Sequence, residues 1–205
     1  MVGPVLFIGA FLVEGATRPG YDAWQQPISA LSLGPGGWMQ AANFIVFGLL
    51  LAGFVGGLRV ALGRGVGATW APLLQGVVAL GLIVIGLSSQ DPALGYPLGT
   101  LAPTTPTLHG LIHLLGTIVI FTARAAWCFV MARRFAQEPH WRGWALYAVA
   151  TGILLVVFLA AFGVAMAHHG PAGLFERLAT IVASLLTLVF AARLVAGTGR
   201  VSPQG

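Results

Sequence analysis

Charged side chains are scarce in this sequence. They make up 7% of the 205 residues, whereas 58% are hydrophobic. Soluble domains average about 25% charged residues, so this chain has too little charge to cover a globule that faces water. Lysine is absent, and the net charge of +5 comes from ten arginines against five acidic residues. The composition therefore excludes an ordinary soluble protein and predicts an integral membrane protein.

Three further absences narrow the possible functions. Only one cysteine, Cys128, is present, so no intramolecular disulfide can form. No basic patch with interleaved aromatic residues occurs, which excludes nucleic acid as a partner. Neither an H-E-x-x-H nor a G-x-S-x-G motif is found. Membrane lipids are the expected partners, and association into a homo-oligomer is left open.

Long apolar runs separated by stretches rich in proline and glycine fill the chain. Because a helix needs about 20 apolar residues to cross a bilayer, we predict an all-α polytopic membrane bundle with six transmembrane helices. The spans are predicted at residues 2–13, 38–58, 70–87, 108–131, 144–167 and 174–196. The first run is short, and we interpret it as a short or truncated span rather than a signal peptide, since no basic residue precedes it. We expect one domain over 1–196 and a disordered cytoplasmic tail at 197–205.

The arginines predict which side of the membrane each loop faces. Most of them fall at one end of alternate spans: Arg59, Arg64, Arg133, Arg134, Arg142, Arg193 and Arg200. By the positive-inside rule this end is cytoplasmic, as are both termini. The long loops 14–37 and 88–106 then lie outside, and the protein is expected in the cell (inner) membrane.

Polar side chains form a stripe along the fourth span. His109 and His113 are four residues apart and therefore stack on one helix face, which Thr117 continues. Arg124 returns to nearly the same face, and we expect its long side chain to extend toward the inner surface. Since ionisable groups inside a membrane usually face a protein interior or a wet cavity, this stripe predicts an internal site.

The sixth span carries a second stripe, formed by Glu176, Thr180, Ser184 and Thr187. Lipid tails offer no hydrogen-bond partner, so we expect the two stripes to face each other in a polar pocket open to the extracytoplasmic side. The candidate pocket or metal-site residues are Asp91, His109, His113 and Glu176, supported by Ser29, Ser32, Asn43, Thr117, Arg124 and Arg177.

The pair of histidines allows two interpretations. Their spacing suits zinc, with Asp91 or Glu176 as a third ligand and water in an open position. Alternatively, neutral histidines lock the second long loop onto the fourth span through hydrogen bonds to Asp91, Thr117 or loop carbonyls. Asp91, which precedes a proline, fits a helix-capping turn equally well, and Glu176 fits a favourable charge near a helix N-terminus.

Three functions remain open at this stage. Binding of a lipid, a small amphiphile or a partner is favoured, because polar residues cluster without a complete catalytic set. A zinc-dependent membrane hydrolase of lipid-like substrates is the second, and a small transporter is the third. No catalytic residue is assigned, because Ser29 and Ser32 fit helix caps better than nucleophiles. Zinc is the one candidate cofactor, since two histidines on one helix face cannot ligate a haem from opposite sides.

Four short motifs occur in a fixed order along the chain. They are P-I-S-A-L-S at 27–32, Asn43, the D-P pair of Asp91 and Pro92, and H-G-L-I-H at 109–113. Together they resemble the domain-of-unknown-function 998 (DUF998) family of small polytopic proteins from bacteria and archaea, over residues 21 to about 190. The resemblance implies a membrane protein of six helices and brings no established activity or catalytic residue.

Overall fold

The computed structural model describes residues 2–197, apart from the side chains of His140 and Arg142. Within this range the chain forms α-helices and short 3-10 helices and no β-strand, which confirms the all-α prediction. The α-helices are α1 (Val2–Thr17), α2 (Gly37–Leu62), α3 (Trp70–Leu87), α4 (Leu108–Gln137), α5 (Arg142–Ala167) and α6 (Ala172–Val195). A 3-10 helix at Ile28–Ser32, here called the loop helix, interrupts the first long loop. The tail predicted at 197–205 lies, from residue 198 on, outside the described residues.

Five of the helices, α2 to α6, are long and apolar enough to cross a membrane. Large apolar side chains cover their outward faces, for example Leu80, Leu146 and Val157, which are 64%, 73% and 53% exposed. Such surfaces suit lipid and not water. This is the make-up of a multi-pass membrane protein. The sixth helix, α1, is also apolar but has only 16 residues.

Three helices extend further than the sequence predicted. α1 continues to Thr17, because Glu14 pairs with Arg18 at 2.8 Å and stabilises a polar last turn. α2 and α4 continue past Arg59 and Arg134 to Leu62 and Gln137. Arginine is a good helix former, so the charge that ends an apolar run does not end the helix.

Consecutive helices from α2 to α6 pack against each other, and α1 lies against α2 and α6. Glycines allow the closest approach between α2 and α3. A Cβ added at Gly48 would lie 2.8 Å from the carbonyl oxygen of Ala79, and one at Gly86 would lie 2.9 Å from that of Ala41. Small residues at such positions let helix backbones meet in a membrane.

Three apolar clusters fill the described part of the bundle, and the smallest consists of Leu155, Ala179 and Ala183. Toward the loop helix, Phe7 stacks on Phe47 with ring centroids 4.6 Å apart, and Phe11 and Phe44 pack beside them. Toward the arginine-rich end, a second cluster closes the bundle with fully buried side chains: Leu58, Trp127, Met131, Phe135, Leu186 and Phe190.

Candidate functional site

The first long loop is held over the bundle by the start of α6. The backbone N–H groups of Gly173 and Leu174 donate to the carbonyls of Gln25 and Trp24 at 3.1 and 3.0 Å. The first amides of a helix have no partner within the helix itself. The loop carbonyls supply those acceptors, so the beginning of α6 determines where the loop sits.

Arg177, near the start of α6, binds the same loop through side-chain hydrogen bonds. Its Nη1 donates to the carbonyl of Ala23 at 2.7 Å, and its Nη2 donates to the hydroxyl of Tyr21 at 2.5 Å. Burial raises the pKa of Tyr21 to about 12 despite the opposing effect of Arg177, so the phenol keeps its proton and lies 3.0 Å from the carbonyl of Gln26. Arg177 was a candidate pocket residue, but its guanidinium contacts the loop.

His113 joins the loop helix to the second long loop. Its Nδ1 lies 2.5 Å from the carbonyl oxygen of Ser88, and its Nε2 lies 2.8 Å from the hydroxyl of Ser29. A carbonyl can only accept, so Nδ1 carries the proton and Nε2 accepts from the hydroxyl of Ser29. The imidazole is buried, with 3% exposure. Of the two interpretations of the histidines, the locking role is therefore observed for His113.

Glu176 is the second anchor of the loop helix. Its Oε2 accepts from the backbone N–H of Ile28 at 2.5 Å, and the side chain is buried. That amide is one of the first of the 3-10 helix and would otherwise be unpaired. Glu176 thus ties α6 to the loop helix, while His113 ties α4 to it.

Asp91 and His109 do not take part in anchoring the loop helix. Asp91 accepts from the backbone N–H and the hydroxyl of Thr107 at 3.0 and 2.6 Å, and that hydroxyl accepts from the N–H of Gly110 at 3.0 Å. Thr107 is therefore the N-cap of α4, and Asp91 holds Thr107 in place rather than capping the turn that follows Asp91 itself. His109 is exposed in the first turn.

The predicted zinc ligands are consequently not assembled. Over residues 2–197, with the exceptions given above, no group of three or more histidine, cysteine, aspartate or glutamate side chains is placed to hold a metal ion. The i, i+4 spacing aligns the two imidazoles of α4 in direction. However, only His113 lies deep enough to meet the loop helix, and the carboxylate of Asp91 is engaged by Thr107.

Ser32 and Asn43 hold neighbouring backbone groups. The hydroxyl of Ser32 donates to the carbonyl of Ser29 at 2.7 Å and closes the turn of the loop helix. The side-chain amide of Asn43 donates to the carbonyl of Phe7 at 3.1 Å and joins α2 to α1. Neither side chain belongs to the wall of the internal cavity that α4 and α6 share.

The two predicted polar stripes meet at a small internal cavity, here called the chamber, of about 40 Å³. Its polar lining consists of Ser29, Thr117, Arg124, Glu176, Thr180 and Ser184. The rings of Phe7, Phe44 and Phe47 form much of the remaining wall. A volume of this size holds one water molecule and little more.

Arg124 is buried at the chamber, with 5% exposure. Its Nη1 donates to the hydroxyl of Thr187 at 3.0 Å and to Oε1 of Gln75 at 3.3 Å. No carboxylate of the described residues forms an ion pair with it. The expectation that Arg124 extends toward the inner surface is therefore wrong, because Gln75 and Thr187 offer partners within the bundle. Gln75 was missed, although it is the only side chain of α3 with a polar amide.

Several polar atoms around the chamber lack partners. The hydroxyls of Ser184 and Thr117, both on the chamber wall, make no hydrogen bond in the part of the chain that the structure describes. A buried polar group without a partner costs about 1–3 kcal/mol. Together with Arg124, these hydroxyls form a set of hydrogen-bond donors that converge on one space.

A larger apolar cavity adjoins the chamber. It has a volume of about 210 Å³ and lies between α1, α2 and α6. Phe47 belongs to the walls of both cavities, and Thr187, which accepts from Arg124, lies on the wall of the apolar one. The two spaces thus share Phe47 as a wall residue, and the hydrogen bond between Arg124 and Thr187 joins a residue of one wall to a residue of the other.

Comparison with known proteins identifies the family. The family model described as "Protein of unknown function (DUF998)" matches residues 1–193. The chain belongs to the DUF998 family. The resemblance inferred from the four short motifs is thereby confirmed over nearly the whole chain. No curated protein and no solved structure matches it. The DUF998 description carries no activity.

Proposed function

We propose that this DUF998 protein crosses the cell (inner) membrane six times, with α1 as the additional span and both termini in the cytoplasm. The clustering of Arg59, Arg64, Arg133 and Arg193 at one end supports this orientation. A helix of 16 residues is about 24 Å long, and local thinning of the bilayer compensates for such a deficit. Residues 1–196 then form a single bundle domain with a short cytoplasmic tail.

We further propose that the chamber binds the head group of a single-chain amphiphile such as a fatty acid. The observation that carries this proposal is the convergence of Arg124, which lacks a carboxylate partner, with the unpaired hydroxyls of Ser184 and Thr117. All three donate hydrogen bonds, so they favour a head group that accepts, such as a carboxylate. The carboxyl of Glu176 lines the same space but is engaged by Ile28.

The chamber is too small for a head group and chain together, so the chain must lie elsewhere. The adjoining cavity of about 210 Å³ is apolar and exceeds the 150 Å³ or so that accommodates a benzene molecule in a protein core. Rotation of the Phe47 side chain would join the two cavities. The head group then reaches Arg124 while part of the acyl chain fills the apolar side.

Binding of palmitate measured by native mass spectrometry tests this proposal. Wild-type protein in a non-ionic detergent is expected to retain one palmitate and to bind hexadecanol more weakly, because the alcohol lacks the anionic group. Ser184→Ala and Thr117→Val should each weaken palmitate binding at least about tenfold, since each removes one hydrogen bond to a charged acceptor. Arg133→Gln, an exposed arginine outside the chamber, is the control. Equal palmitate binding by the wild type and both chamber variants would contradict the proposal.

A second candidate function rests on the contact between Ser29 and His113. At 2.8 Å, with Nδ1 held by Ser88, the imidazole can take the hydroxyl proton as Ser29 attacks an ester carbonyl. The proton would pass from Nε2 to the departing alcohol, and water would then hydrolyse the acyl-serine. This is the hydrolase alternative with serine in place of zinc.

Labelling with a fluorophosphonate probe decides on that candidate. If Ser29 is a nucleophile, the probe should attach to it in the wild type, and Ser29→Ala should abolish the label. Ser32→Ala should keep it, because the hydroxyl of Ser32 donates to the backbone carbonyl of Ser29 and not to the imidazole of His113. An unlabelled wild type, or a label that survives Ser29→Ala, removes the candidate without affecting amphiphile binding.

A further inference from the structure

A groove open to the surrounding membrane lies between α2 and α3, away from the chamber. Its volume is about 780 Å³. Arg59, Arg64 and Thr69 line one end, and Leu73, Gly76 and Leu80 belong to the apolar length that leads away from them. The groove is therefore polar and cationic at one end and apolar along the rest.

The two arginines at the polar end of the groove are exposed and unpaired in the part of the chain that the structure describes. No side-chain hydrogen bond or ion pair is formed by either one within the described residues. Glu138, the acidic residue at this end of the bundle, lies 3.8 Å from Arg134 instead. Two uncompensated positive charges thus remain beside the groove.

The turn that carries Arg64 is fixed by another helix. Nη1 of Arg134, on α4, donates to the backbone carbonyls of Arg64 and Val66 at 2.9 and 3.3 Å. Arg134 itself is fully buried. The backbone of Arg64 is therefore held at the end of the groove, while its guanidinium remains available to a ligand.

The length of the groove matches one leaflet of a bilayer. From Thr69 to Leu80, α3 rises about 16 Å at ~1.5 Å per residue. The hydrocarbon core is ~30 Å thick, so one leaflet contributes about half of it. An acyl chain that follows the groove from the arginines would thus extend from the head-group region to the bilayer centre.

We propose that this groove binds one anionic phospholipid from the leaflet that faces the α2–α3 turn. The phosphate lies between the guanidinium groups of Arg59 and Arg64, which bind phosphate oxygens through charge-assisted hydrogen bonds. One acyl chain lies along the apolar wall past Leu73 and Gly76. A zwitterionic lipid fits the same wall but gains less from the two charges. The groove is separate from the chamber, so phospholipid binding in the groove can be tested independently of amphiphile binding in the chamber.

Native mass spectrometry with phosphatidylglycerol and phosphatidylcholine of identical acyl chains tests the charged end. The wild type should bind phosphatidylglycerol in preference. Arg59→Gln and Arg64→Gln should each weaken that binding about fivefold, and the double variant should erase the preference. Arg133→Gln removes a charge at the same end of the bundle without touching the groove, and should leave binding unchanged. Equal loss in Arg133→Gln, or no preference in the wild type, would overturn the proposal.

A second pair of variants tests the apolar wall. A Cβ added at Gly76 or at Gly143 meets no atom within 4 Å, so we expect Gly76→Leu and Gly143→Leu both to fold. Only Gly76→Leu fills the groove, and it should reduce phosphatidylglycerol binding at least fivefold. Inorganic phosphate at the same concentration should not compete. Competition by phosphate, or binding unaffected by Gly76→Leu, would show that no lipid chain occupies the groove.

Discussion

Replacing Gln75 and Arg124 together, by leucine and methionine, is expected to keep or raise the thermal midpoint while weakening palmitate binding at least tenfold. The guanidinium of Arg124 is buried with only neutral partners, Gln75 and Thr187. Replacing a buried charged side chain and its polar partner by apolar side chains of similar volume is often neutral, or raises stability by about 1–4 kcal/mol. Nε2 of Gln75 already lacks a hydrogen bond within the described residues, so the double variant also removes an unpaired donor.

The single variants should behave differently from the double. Gln75→Leu alone takes one of two hydrogen bonds from a buried cation, and should lower stability by about 1–3 kcal/mol. Arg124→Met alone leaves the buried Oε1 of Gln75 unpaired and should likewise lower stability by about 1–3 kcal/mol. Thermal unfolding of all four proteins in detergent gives the coupling between the two residues. A double variant less stable than both single variants, with palmitate binding intact, would mean that Arg124 is only a structural residue.

Gly173→Ala should be strongly destabilising, by about 3 kcal/mol or more. A Cβ at this position would come closer than 3.0 Å to the carbonyl oxygens of Ala23 and Gln26 and to Nη1 of Arg177. The loop must then move away from α6, and Arg177 loses several charge-assisted hydrogen bonds, each of which contributes about 1.5–3 kcal/mol. The thermal midpoint should fall. Chymotrypsin should cleave faster after Tyr21, because this loop residue is held in place by Arg177 in the wild type.

Gly163→Ala is the matched control for this prediction. It lies in α5, where a Cβ meets no atom within 4 Å. Alanine is the better helix former by roughly 1 kcal/mol, so this variant should be as stable as the wild type or slightly more. If both glycine variants behave alike, the loop is not held by α6 in the way that the contacts of Gly173 and Arg177 indicate.

The helices and the polar stripes could be predicted because both depend on local sequence. Apolar runs long enough for a bilayer gave α2 to α6, and helical spacing placed Thr117 and Arg124 toward Ser184 on the facing helix. The helix ends were less predictable. Arginine ends an apolar run but favours a helix, so α4 extends to Gln137.

The partners of individual side chains depend on depth and on distant segments, which spacing does not encode. His109 and His113 share a direction, yet the loop helix covers only His113. Asp91 was available as a ligand by sequence, but Thr107 and the start of α4 engage it. Gln75 offered a usable signal in the sequence. A single side-chain amide in an otherwise apolar span is costly in lipid, so it indicates a polar partner inside the bundle.

Photochemical labelling tests most directly whether the chamber and the adjoining cavity hold an amphiphile. A palmitate analogue with a diazirine at its terminal carbon would be bound to the purified protein, irradiated and mapped by peptide mass analysis. Labels are expected on the apolar cavity wall, at Leu50, Leu51 and Leu188, and should disappear in Arg124→Met but persist in Arg133→Gln. Labels spread equally over outward-facing residues such as Leu80 and Leu146, and unchanged in Arg124→Met, would contradict a binding site inside the bundle.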